Sequence, residues 1–78
     1  MIDLLLERMV EFFNNGMHQS CLDCIRKLIR LDKEYKEVYY KNAAYIYYLL
    51  KDKDKMMLCL NEINKIKDKQ NELDLQSF

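Results

Sequence analysis

The chain has 78 residues, half of them apolar, with one Gly and no Pro, and its thirteen acidic side chains balance thirteen basic ones. That balance argues against a nucleic-acid binder, whose affinity comes from displacing phosphate counterions. The scarcity of Gly and Pro argues for helices joined by short loops, because strands and long loops need those residues as punctuation.

Residues 2–14 carry Ile2, Leu5, Leu6, Met9, Val10, Phe12 and Phe13 at helical spacing. Asn14-Asn15-Gly16 is the first break, with Gly able to take the positive φ that ends a helix. A second helix is expected from about Met17 to Leu31, with Cys21, Leu22, Cys24, Ile25, Leu28, Ile29 and Leu31 on its apolar side. Asp32 is the expected N-cap of a third helix, with Glu34 favourable in its first turn. Within that helix Val38–Leu50 is apolar or aromatic except at Lys41 and Asn42, and a helix apolar nearly all round needs neighbours on several sides. The chain is therefore expected to sandwich it between other helices and to leave part of its aromatic surface over. Lys51-Asp52-Lys53-Asp54 closes it, and Asp52 is placed to cap a fourth helix bearing Met56, Met57, Cys59, Leu60, Ile63 and Ile66. Leu73, Leu75 and Phe78 fall in a tail, 71–78, that either docks or frays.

Laid on itself at an offset of 35, the chain pairs Phe12 with Tyr47, Phe13 with Tyr48, Leu22 with Met57, Cys24 with Cys59, Ile25 with Leu60 and Leu28 with Ile63. Each copy is a helix, a tight turn and a helix. A period near 34 with two helices per unit resembles the tetratricopeptide repeat, over residues 2–35 and 37–70. Tyr40 stands where that family has Trp, Ala43 and Ala44 where it has Leu-Gly, and Tyr47 on its Tyr. Cys21 and Met56 match its small residue, Ile25 and Leu60 the large one that follows, and Leu31-Asp32-Lys33 its Leu-Asp-Pro ending. Met9 and Met56 are larger than the pattern, and neither unit ends in Pro. The resemblance implies one all-α domain, a four-helix pair of antiparallel α-hairpins forming a fragment of an α-solenoid. A generic up-down four-helix bundle has the same apolar spacing.

In the family the first helices of successive units line a concave ligand-binding face. Carried over, that face includes Leu6, Val10 and Phe13 from the first unit and Lys41, Asn42, Tyr45, Tyr48 and Leu49 from the second, with Asp3, Asn14 and Val38 beside them. Asn42 matches an Asn that some members use to hold a peptide backbone or terminal carboxylate. Leu6 and Val10 occupy the places of that clamp's polar partners, so a clamp for a charged chain terminus is not expected. What remains is an aromatic strip suited to an apolar or amphipathic segment of another protein. The opposing possibility is that Tyr45, Tyr48 and Phe13 only complete the core, as Tyr40 and Tyr47 are expected to.

The function expected is thus a protein-binding adaptor, chaperone or assembly factor, with a constitutive subunit of a large complex as the alternative. A domain this small buries only roughly 60% of its unfolded surface, which leaves room for a partner or a homodimer. A third reading joins His18, Cys21, Cys24 and Cys59 into a zinc or redox site. On one helix His18 and Cys24 lie about 120° apart, so convergence on one ion is strained. Free Cys is more often a small buried apolar residue, and neither metal nor cofactor is expected. One His and no phosphate loop or triad give no sign of an enzyme. No apolar run approaches the ~20 residues of a membrane span, and Met1-Ile2-Asp3 is not the basic start of a signal peptide. With an odd number of Cys, the cytoplasm or another reducing compartment is the expected location.

Overall fold

The computed structural model describes the backbone of residues 1–76 and the side chains of residues 1–70. Four α-helices follow one another: α1 (Ile2–Asn14), α2 (His18–Leu31), α3 (Lys36–Leu49) and α4 (Lys53–Gln76), with a 3-10 turn at Lys33–Tyr35 before α3. The class is all-α. α1 and α2 form one antiparallel hairpin, α3 and α4 a second, and the two hairpins meet where α2 packs on α3. Among the described residues the backbones of α1 and α4 do not approach each other, so the helices form an open array rather than a closed bundle.

The core sits along α2 and α3. Cys21, Leu22, Ile25 and Leu28 of α2 bury against Tyr39, Ala43, Ala44 and Ile46 of α3, with Cys59 closing the cluster from α4. Ala43 and Ala44 are the small residues that let helices approach to the usual 8–10 Å between axes. Tyr40 and Tyr47 are half-buried against this cluster, as are Leu6, Met9 and Phe13. α4 buries Cys59 and Ile63, whereas Met57 and Leu60, expected on its inner stripe, are exposed along with Leu58. The reason is geometric: α4 has α3 on one side only, so half of a wide apolar stripe finds no neighbour.

Both hairpin turns end their first helix in the same way. The Gly16 N–H donates to the Phe13 carbonyl and the Met17 N–H to the Phe12 carbonyl; Lys51 and Asp52 repeat the pattern onto Tyr48 and Tyr47. This is the Schellman arrangement, with the left-handed residue at Gly16 (φ 72°) and at Lys51 (φ 59°). Each donor and acceptor in the second turn stands 35 residues after its counterpart in the first, the offset at which the sequence pairs with itself. Asp52 caps α4 as expected, its Oδ1 accepting from the Lys55 N–H at 3.2 Å.

Asp32 differs. Its side chain caps neither the 3-10 turn nor α3; its Oδ2 instead accepts the Tyr39 hydroxyl proton at 2.6 Å. The intervening 3-10 turn displaces the start of α3 to Lys36, out of reach of an Asp32 cap, and the buried phenol takes the carboxylate. At the other end α4 continues past residue 70, where the repeat spacing ends the second unit, to Gln76. The expected docking or fraying of Leu73, Leu75 and Phe78 lies outside the described side chains. Among the described residues no helix is long and apolar enough to cross a membrane.

Candidate functional site

The first helices of the two hairpins, α1 and α3, leave a groove between them. Its floor is Met9, Cys21, Ile25 and Ile46, and its rim is Val10, Phe13, Asn42 and Tyr45, enclosing about 190 Å³. The floor residues belong to the packed core and hold the groove's shape. The rim comes from α1, through Val10 and Phe13, and from α3, through Asn42 and Tyr45.

Three aromatic rings run along this groove. Phe13 lies 6.1 Å from Tyr45, tilted by 40°, and Tyr45 lies 6.5 Å from Tyr48 in a near-parallel stack. Both distances are in the range where aromatic pairs attract beyond simple burial. Tyr45 is 53% exposed and Tyr48 64% exposed, so among the described residues nothing makes them core. At the other end His18 packs against Phe13 at 6.2 Å, with its Nδ1 buried and, among the described residues, without a hydrogen-bond partner.

The eight expected binding residues separate into groups. Val10, Phe13, Asn42 and Tyr45 line the groove together, and Tyr48 joins them through its stack on Tyr45. Leu6 is half-buried and shares with Val10 a shallow depression on the outer side of α1. Lys41 and Leu49 are exposed and stand outside the groove lining. Met9 and Ile46 were not among the expected site residues. The sequence signal for Met9 was its spacing of four from Phe13; Ile46 is masked by the tyrosines on either side of it.

The depression beside Leu6 and Val10 is bordered by Glu7 and Glu11. With Asp3 they recur every fourth residue, which places three exposed carboxylates along one edge of α1. Among the described residues none of the three has an ion-pair partner. The groove is therefore apolar inside, and the outer side of α1 next to it is negative.

The cysteines form a different environment. All three are buried and unpaired, and the Cys21 thiol donates to the Met9 carbonyl at 3.4 Å. Burial first, then the neighbouring Cys24, pushes the Cys21 pKa up; burial first, then Glu62, does the same for Cys59. Both thiols stay protonated at neutral pH, which is the wrong state for a nucleophile. Among the described residues no three His, Cys, Asp or Glu side chains converge as a metal cluster would require.

No protein-family model, curated protein or solved structure matches this chain.

Proposed function

We propose that the chain is a small interaction module of the tetratricopeptide-like kind that holds an apolar or amphipathic segment of a partner protein in the α1–α3 groove. It acts by burial and shape, without a chemical step, as an adaptor, chaperone or assembly factor in a reducing compartment. The single observation that carries the reading is the aromatic row along an apolar groove, half-buried at Phe13 and exposed at the stacked Tyr45 and Tyr48. Tyrosine suits such a surface because it offers large contact area with few torsions to freeze. The carboxylates on α1 favour a segment whose apolar side chains enter the groove while its Lys or Arg residues lie along Asp3, Glu7 and Glu11. Recurrence of the turn geometry at 35 residues supports the repeat reading. The exposed Met57, Leu58 and Leu60 favour a second reading, a constitutive subunit whose remaining faces are covered in a larger complex.

The test uses a fluorescent fifteen-residue Leu/Lys peptide with a helical apolar stripe, and a Leu/Glu peptide of the same pattern. The expected result is saturable binding of the Leu/Lys peptide alone, weakened by salt. Replacing Tyr45→Ser and Tyr48→Ser together is expected to cost about tenfold or more in affinity, since truncating central aromatic contacts commonly costs 1–2 kcal/mol or more. Circular dichroism of the double variant should match the parent, because both rings are outside the core. Equal binding of the two peptides, or a double variant that binds as the parent does, defeats the proposal.

A further inference from the structure

The junction between the two hairpins shows how this molecule stacks one helix pair on another, and among the described residues one such face is left open. At the junction Leu22 and Ile25 of α2, each 1% exposed, share a crevice with Tyr40, Ala43 and Tyr47 of α3. Arg26 Nη2 donates to the Tyr47 hydroxyl across the same seam, at 3.3 Å. The pattern on the incoming helix is a small residue with an aromatic residue three before it and another four after it. Ala43 lets α3 come close, and the two tyrosines flank the contact.

Thirty-five residues on, Met57 and Leu60 stand on α4 where Leu22 and Ile25 stand on α2. They are large and apolar like their counterparts, but Met57 is 44% exposed and Leu60 38% exposed. Asn61 replaces Arg26, Asn64 replaces Ile29, and Lys65, paired with Glu62, replaces Arg30, so the edge of the face is polar. The centre of the face is thus the same in kind as one the molecule already uses internally.

A second copy stacked head to tail does not fit it well. The helix it would bring is α1, which offers Leu5, Arg8 and Phe12 in place of Tyr40, Ala43 and Tyr47. Arg8 borders its crevice together with Lys27. A long cation therefore stands where the seam needs a methyl group, and burying it unpaired against Met57 and Leu60 is unfavourable.

We infer that the outer face of α4, at Met57 and Leu60, docks a helix of a partner protein carrying a small residue flanked by aromatic residues at the spacing of Tyr40, Ala43 and Tyr47. This face is separate from the α1–α3 groove, so Val10→Ser, which disturbs the groove alone, distinguishes failure of one site from failure of the other.

The probe is a fluorescent peptide of residues 36–51, the helix that fills the equivalent seam inside the molecule, titrated with the full chain. Expected is saturable binding that Val10→Ser leaves unchanged and that Met57→Glu with Leu60→Glu weakens at least tenfold, with unaltered circular dichroism. A peptide with Ala43→Arg should bind at least tenfold more weakly than the parent peptide. Absence of saturable binding overturns the inference. So does binding that ignores the Met57 and Leu60 changes, which would mean that the peptide enters elsewhere, including the place of the chain's own α3. Sedimentation of the full chain supplies the remaining arm: self-association abolished by Met57→Glu with Leu60→Glu would make a second copy the occupant and overturn it too.

Discussion

Tyr39 is the residue where burial, hydrogen bonding and charge meet. Its ring is buried in the core while its hydroxyl reaches the partly exposed Asp32 carboxylate. Burial first, then the hydrogen bond to Asp32, pushes its pKa from 10 up to about 12. The folded state therefore holds the phenol proton more tightly than the unfolded chain. This contribution to stability is complete below the unfolded value and is lost as pH rises from about 10 toward about 12. A rise of that size corresponds to about 2–3 kcal/mol, and solvent screening in so thin a domain trims it to about 1–2 kcal/mol. Tyr39→Phe should lower stability at pH 7 by about 1 kcal/mol, the net worth of one hydrogen bond. It should also flatten the fall above pH 10, because no phenol is left to ionise there. Urea titrations of both proteins at pH 7, 9 and 11 check this; an equal fall in both would mean that another group causes it. His18 poses the opposite problem, since its buried Nδ1 has no partner among the described residues. His18→Phe should stabilise the chain by about 1 kcal/mol by removing that orphaned polar atom while keeping the contact with Phe13; a lower urea midpoint would contradict it.

At the scale of elements, helix bounds were legible and contacts less so. The start and stop of α1 and α2 follow from the apolar spacing and from Gly16, because amphipathic periodicity and a left-handed residue act locally. The second turn carries no glycine, yet its hydrogen bonds repeat those of the first, so Lys51 adopts a conformation that disfavours a side chain. The polar run Lys51-Asp52-Lys53-Asp54 marked the turn but not the left-handed residue in it. Asp32 was misleading because a carboxylate before a helix reads as a cap, whereas its partner, seven residues away, depends on how α3 turns on α2. The sequence reading puts Tyr40 in the core, whereas Tyr39 goes deepest and Tyr40 is half-buried, since the depth of each ring depends on the rotation of α3. The groove rim was partly legible through the resemblance, while the exposure of Met57 and Leu60 was not. An apolar stripe states a need for burial and not whether the chain supplies a neighbour. The two turns give a matched prediction. Lys51→Gly should raise stability by about 0.5–1 kcal/mol by relieving the left-handed strain. Gly16→Ala should lower it by about 1 kcal/mol, and for backbone reasons alone, since a Cβ there meets nothing within 4 Å. Both should shift the urea midpoint without changing the slope; a Lys51→Gly variant no more stable than the parent would show that Lys51 is held there without strain.

The molecule as a whole is extended and thin. Its backbone spans 47 × 31 × 15 Å with a radius of gyration of 13.8 Å, against about 11.5 Å for a compact chain of this length. Open sequential stacking produces that shape, and it distributes stability unevenly. α1 has no fully buried residue and joins the rest chiefly through α2, whereas α2 has five buried residues and α3 has four. Local opening follows the number of buried apolar contacts, so α1 should open first. Native-state hydrogen exchange is expected to show the amides of α1 least protected and those of α2 and the middle of α3 at the global limit. Uniform protection over α1 to α3 would mean instead that the four helices unfold as one unit. The same gradient bears on the groove, because α1 supplies Val10 and Phe13, and α3 supplies Asn42 and Tyr45. A segment bound there bridges the least stable helix to a stable one. Binding should therefore slow exchange in α1 more than in α2, by up to the free energy of binding, whereas a helix docked on Met57 and Leu60 should leave α1 unchanged.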